Sequence, residues 1–343
     1  MNPYALTVII LSLASGTTVT LLGYHWLLTW IGLEINTLAI IPLMTKTPHP
    51  RAIESATKYF LTQATASALL LFSSMINAWI TGEWTIASTS EIPAILLTTA
   101  IAIKLGIAPF HFWLPEVLQG LQIKTGFILT TWQKLAPMAV LTQLAPFTNL
   151  KLTLLLGLMS VIVGGWGGMN QTQIRKILAY SSIAHLGWMI AILTLAPHLS
   201  LINFYLYVLM TSTLFLSILS MNTKNMSEMT TSWSKSPVLT SLSLLTLLSL
   251  SGLPPLTGFM PKWLITQELV KQDLTVFALM MLLSTLLSLF FYLRLTYILT
   301  LTLTPNLTFS LTLWMHPKKN FLAPLILISL LLLPLTPTIL SLL

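Results

Sequence analysis

Runs of roughly twenty consecutive apolar residues recur from one end of this 343-residue chain to the other. Coiled as a helix rising about 1.5 Å per residue, a run of that length crosses the roughly 30 Å of hydrocarbon in a bilayer. In water such a chain has nothing with which to cover itself. Charged residues make up 7% of it and hydrophobic residues 55%, whereas a soluble domain carries about a quarter charged residues. The mean hydropathy of +0.86 agrees. The sequence therefore predicts an all-α polytopic membrane protein with a single transmembrane domain, and it excludes water-soluble globular classes.

Reading the apolar runs against turn and charge punctuation gives about eleven spans. They are Pro3–Leu22, His25–Met44, Ala52–Ile80, Ile92–Phe112, Thr125–Ala145, Leu150–Met169, Ile174–Leu195, Leu201–Met221, Val238–Val270, Leu274–Thr304 and Phe321–Leu342. The start, MNPYALTVII, lacks a basic n-region and a small-residue cleavage site, so it reads as the first span. If the spans alternate, one side of the bilayer receives Lys46, Arg51, Lys124, Arg175, Lys176, Lys224, Lys235, Lys318 and Lys319 against Glu54, Glu116 and Glu228. The other receives only Lys151 and Lys271, with Glu83, Glu91 and Asp273. Short loops on the cytoplasmic or matrix side carry such an excess. The N-terminus is therefore expected on the basic side and the C-terminus opposite. This distribution also accounts for the net charge of +8. The basic residues stand between apolar runs and form no nucleic-acid surface.

Glu34, Lys104, Lys134 and Lys262 fall inside the second, fourth, fifth and ninth spans. An ionisable group at bilayer depth costs at least about 2.5–3.5 kcal/mol on insertion scales, so its default reading is functional. Structural ion pairs are the plainer reading, but one acid against three lysines covers a single pair. Lysine suits proton handling because burial weakens an ammonium's hold on its proton, whereas a guanidinium keeps it. A nearby Glu34 would hold one lysine charged, and losing that partner would release the proton. With no cysteine in the chain there is no thiolate metal site or Fe–S ligand.

Two spans are internally broken. KLGIAPFHFWLPE, Lys104 to Glu116, and LSGLPPLTGFMPKW, Leu250 to Trp263, set glycines and prolines beside a buried lysine. Proline removes a backbone donor and clashes with the preceding turn, so carbonyls are freed at membrane depth, where such backbone survives only in protein or beside a cavity. The fourth and ninth spans are an odd offset apart and run in opposite directions. This predicts inverted five-helix repeats, 1–145 and 150–304, with a final helix at 321–342.

His111 follows the first break and His185 lies mid-span. A neutral imidazole both donates and accepts, which suits a proton relay, and a hydrogen-bonded structural role fits each of them equally. The six histidines lack the close spacing of metal ligands. The GGWGG run from Gly164 to Gly168 lies within an apolar span with no preceding strand, which favours close helix packing over a phosphate loop. Asn306-Leu-Thr308 matches a glycosylation pattern but falls on the basic side.

The runs WIGLEIN, KLGIAPFHFWLPEV, RKILAYSSIAHLGWM and SGLPPLTGFMPKW, in this spacing, resemble the subunit 2 family of respiratory complex I, the NADH:ubiquinone oxidoreductase. That resemblance implies an antiporter-like fold in the mitochondrial inner membrane, with the basic side facing the matrix, and a role in proton translocation. It implies that Glu34 and Lys104 are a coupled pair, Lys134 a central relay lysine and Lys262 the charged residue after the second break. His111 and His185 match relay positions. NADH, FMN, Fe–S clusters and ubiquinone would be bound by other subunits, and the partners would be further membrane-arm and accessory subunits within the lipid bilayer. Bacterial members of the family have fourteen spans, so three helices have no counterpart here. A stand-alone cation/proton antiporter would use the same broken helices and lysines, and a structural membrane scaffold would need none of the buried charges.

Overall fold

A computed structural model of the chain describes residues 2–234, 236–301 and 322–335. Seven described helices are long and apolar enough to cross a membrane. They are α1 (Pro3–Leu22), α2 (Trp26–Met44), α3 (Pro50–Thr81), α8 (Leu150–Met169), α9 (Ile174–Leu193), α10 (Pro197–Met221) and α14 (Thr275–Leu301). Three other expected spans come in pieces. The fourth is α4 (Glu91–Leu105) and α5 (Trp113–Gly120), the fifth α6 (Ile123–Thr130) and α7 (Trp132–Leu144), and the ninth α12 (Pro237–Ser251) and α13 (Phe259–Lys271). A short helix, α11 (Met226–Thr231), occupies what the sequence gives as a loop. Of the last expected span, α15 (Ala323–Leu331) lies among the described residues. Lys235, Asn306, Lys318, Lys319 and the end of the tenth span lie outside them.

The chain divides into two compact units, Met1–Ser160 with Leu193–Pro197, and Val161–Ile192 with His198–Leu343. In the first, α2 packs against α1, α3 and α7. A Cβ on Gly32 would meet Gly16 O at 2.9 Å, so the α1 and α2 backbones touch where only glycine fits. At one end of this unit the Trp26 amide donates to Trp84 O (3.0 Å) and Ile86 to Tyr24 O (3.1 Å), joining the α1–α2 and α3–α4 connections. At the other end Gln122 Nε2 donates to Thr47 Oγ1 (3.4 Å), joining the α2–α3 connection to the one after α5.

In the second unit α12 packs against α13, α14 and α15. The glycine run seats α8 closely: a Cβ on Gly164 would lie 2.7 Å from Ala184 N, and one on Gly168 2.8 Å from Phe291 Cδ1. Met226 N donates to Thr172 O (3.2 Å) and Ile174 N to Lys224 O (3.3 Å), so the connections before α9 and α11 share one end.

Glycine, not proline, ends both broken helices. Gly106 (φ 76°) and Gly252 (φ 82°) take the left-handed conformation that stops α4 and α12, just ahead of the prolines. After Gly106, the amides of Gly106 and Ile107 both donate to Ala102 O at 3.0 Å, and Ala108–Pro109 is a cis peptide. The fifth span departs from the sequence reading, which took it as continuous. Its helix breaks at Thr131 (φ −111°, ψ −67°). The Thr130 and Thr131 hydroxyls both donate to Phe127 O, at 3.1 and 2.7 Å, and Pro137 offers no amide to the turn before it.

Candidate functional site

In the first unit, packing through α3 brings α2 and α4 to the same place. Lys104 Nζ on α4 lies 3.8 Å from Glu34 Oε1 on α2, an ion pair too long for a hydrogen bond. The lysine side chain is 1% exposed and the glutamate 24%, so the pair is held on its buried side by Lys104 and opens outward at Glu34. Gln63 Nε2 on α3 donates to Lys104 O (3.4 Å). Thr37 Oγ1 lies 2.9 Å from Glu34 O and 3.3 Å from Glu34 Oε2, fixing the carboxylate from one turn along α2. Lys134 stands in the first turn of α7, just past the break at Thr131, and is buried. Lys104 and Lys134 line one small cavity together with Tyr59, Gln63 and Gln133, with room for a water molecule.

The second unit holds Lys262 in a different way. From α13, beyond the break, its Nζ reaches back and donates to Ser251 O (2.7 Å), the last carbonyl of α12. A helix C-terminus leaves carbonyls without intrahelical partners and carries partial negative charge, so it receives an ammonium well. Lys262 lines a second cavity, the size of about one water, with His185, Trp188 and Tyr292. The His185 ring is also 5.7 Å from that of Tyr207. His111 lies within the first break, buried, with Nδ1 3.3 Å from Pro109 O and its ring against Phe112 at 4.3 Å. It lines neither cavity. The structure thus brings together Glu34, Lys104 and Lys134 in one unit and His185 with Lys262 in the other.

Three charges within expected spans escaped the sequence reading. Lys58 is partly exposed and bridges Glu54 (2.6 Å) and Glu116 (2.8 Å), clamping α5 to α3. Arg294 Nη1 donates to Met169 O (2.7 Å) at the end of α8. Glu268 pairs with Lys271 at 3.2 Å. Glu54, four residues before Lys58, was the available signal for the first. The amides Asn36, Gln63 and Gln133 around the first cavity were also passed over, although an amide inside an apolar helix needs partners too.

Known proteins share both the fold and the sequence. Residues 23–288 match the family described as NADH:quinone oxidoreductase/Mrp antiporter, TM, and residues 289–340 match NADH dehydrogenase subunit 2 C-terminus. NADH-ubiquinone oxidoreductase chain 2 of Aquarana catesbeiana is 61% identical over 344 residues, covering 100% of both chains. Its namesake in Xenopus laevis is 58% identical, covering 99% of this chain and 100% of its own. A chain of respiratory complex I from Thermus thermophilus with bound aureothin superimposes with a TM-score of 0.83 at 28% identity, over 97% of this chain and 80% of that one. A chain of the Mrp complex from Dietzia sp. DQ12-45-1b shares the fold, with a TM-score of 0.78 at 17% identity over 87% of this chain and 61% of that one. The chain therefore belongs to the NADH:quinone oxidoreductase and Mrp antiporter membrane family, in its NADH dehydrogenase subunit 2 branch.

Proposed function

We propose that this chain is a proton-translocating membrane subunit of an NADH:ubiquinone oxidoreductase in the mitochondrial inner membrane. The observation that carries this reading is the Glu34–Lys104 pair, 3.8 Å apart, whose lysine also lines a cavity that it shares with Lys134. While Glu34 stays close, its charge keeps Lys104 protonated. When the pair separates, the ammonium loses its compensation in a medium that penalises charge, and its proton passes toward the amine of Lys134. In the second unit His185 and Lys262 supply the corresponding donor and acceptor, with the α12 carbonyl as a resting place for the charge. His111, on the α4–α5 break, is a peripheral member of the relay.

NADH, FMN, Fe–S and ubiquinone chemistry would belong to other subunits of the assembly, and this chain would contribute proton movement. The likeness of the two breaks, each a 15-residue helix ended by a left-handed glycine, supports reading the halves as inverted repeats.

The test is to measure complex assembly and the proton-to-electron ratio in Glu34→Gln, Lys104→Met and the combined variant. Removing one member of a fully buried pair costs about 3–5 kcal/mol, less where one member is partly exposed, so each single change should weaken assembly more than the combination does. The combined variant is expected to assemble and still not pump. Normal pumping by that variant would falsify the switch.

A further inference from the structure

Asn36 lies on α2, on the face that Leu33 and Thr37 share, and is 2% exposed. Neither its Oδ1 nor its Nδ2 has a hydrogen-bond partner among the described residues. Leaving a buried amide unpaired costs about 1–3 kcal/mol for each group, so a position that keeps one selects a ligand for it. Asn36 lines the same cavity as Lys104 and Lys134, and that cavity has room for a water molecule, which needs two to four polar partners. Two further contacts fix the residue there. Gln133, the neighbour of Lys134, donates from Nε2 to Asn36 O at 3.1 Å. On the other side, a Cβ at Gly16 would lie 2.6 Å from Asn36 Oδ1, so the amide oxygen packs against α1 in space that only glycine leaves, which pins the side chain.

We propose that Asn36 is a positioning residue that binds a water in the cavity between Lys104 and Lys134 and so completes the proton path from one lysine to the other. An amide suits this task because it offers the water a hydrogen bond without taking a charge. A carboxylate in its place would hold both lysines protonated, and a hydrocarbon would take away one of the polar partners that hold the water in place. The inference rests on the relay proposed above.

The test uses the intact complex carrying Asn36→Leu or Asn36→Ser. Leucine is close in size and removes both polar atoms, whereas serine keeps a hydroxyl that donates and accepts. Asn36→Leu is expected to lower NADH-driven turnover about tenfold, with a larger solvent deuterium isotope effect as proton transfer becomes limiting. Asn36→Ser should restore most of the rate and the native isotope effect. Native pumping by Asn36→Leu, or equal losses in both variants with an unchanged isotope effect, would overturn the proposal. If Asn36→Leu does not assemble, a density map of the native complex at water-resolving resolution decides. A water within hydrogen-bond reach of Asn36 supports the proposal, and a dry cavity overturns it. Lys104→Met and Lys134→Met separate the two levels: if they too pump normally, the relay itself fails, whereas a failure confined to Asn36 removes only this inference.

Discussion

Lys262 and Lys271 stand on the same helix and carry the same charge, yet their surroundings differ completely. The Lys262 ammonium is turned inward onto Ser251 O at 2.7 Å and faces a cavity shared with His185. Lys271 has 69% of its side chain exposed and an ion pair with Glu268. An exposed pair of this kind contributes about 0–1 kcal/mol, and its loss is a surface event. Lys262→Ala is therefore expected to reduce coupled NADH oxidation and proton pumping about tenfold or more, while Lys271→Ala leaves both near native. Rates measured in assembled complexes check this. Equal losses in the two variants would leave no case for a relay lysine in the second unit. The contrast also shows what can be read from letters alone. A lysine inside an apolar run is conspicuous, so Lys104, Lys134 and Lys262 stood out. Lys58 and Arg294 sit in apolar runs as well, and only the folded neighbourhood shows that one bridges two glutamates and the other caps a helix.

Each buried lysine adjoins interrupted helix: Lys104 ahead of Gly106, Lys134 after Thr131, Lys262 after the loop that follows Gly252. Two of the interruptions were legible because glycine and proline cluster there. The third was not, because a lone Pro137 is an ordinary feature of membrane helices and the threonine hydroxyls that bond Phe127 O leave no distinctive pattern. Nor was the meeting of Glu34 with Lys104 legible from spacing, since it depends on how α3 packs between their helices. The glycines offer a controlled test of the element. Gly252 and Gly82 both have positive φ, 82° and 73°, so alanine at either costs about 1–2 kcal/mol of backbone strain. At Gly82 a Cβ meets nothing within 4 Å, but at Gly252 it would press on Lys262 Nζ at 2.8 Å. Gly252→Ala should therefore impair pumping in complexes that still assemble, while Gly82→Ala should lower thermal stability and leave pumping intact. Matching behaviour of the two variants would show that strain alone, and not the placement of the ammonium, matters at the second break.

At the scale of the whole chain, the pattern of loop charge and the ends of the helices make the same demand. In the first unit, Gln122 and Thr47 tie the connection just before Lys124, in the first turn of α6, to the one that carries Lys46, whereas Trp26 and Trp84 tie together the opposite pair, which carries Glu83. In the second unit, the bonds from Met226 to Thr172 and from Ile174 to Lys224 place Arg175, Lys176 and Lys224 at one end. The spans joined by these connections thus alternate within each unit, with their cationic loops grouped at one end. Short loops with an excess of Lys and Arg stay on the side from which the chain inserts, so these loops are expected to face the matrix. Membrane-impermeant amine labelling of sealed inner-membrane vesicles should therefore modify Lys46, Lys124, Lys176 and Lys224 only when the matrix face is outward. Lys151 and Lys271 should react only in the opposite orientation. In the folded chain Lys46, Lys124, Lys151, Lys224 and Lys271 are exposed and Lys176 is half-buried, so the reading rests on the lysines that do react and on the orientation in which they react. Reaction of Lys46 or Lys224 from the intermembrane-space side would contradict the alternation expected from the sequence and, with it, the proposal that the halves are inverted repeats.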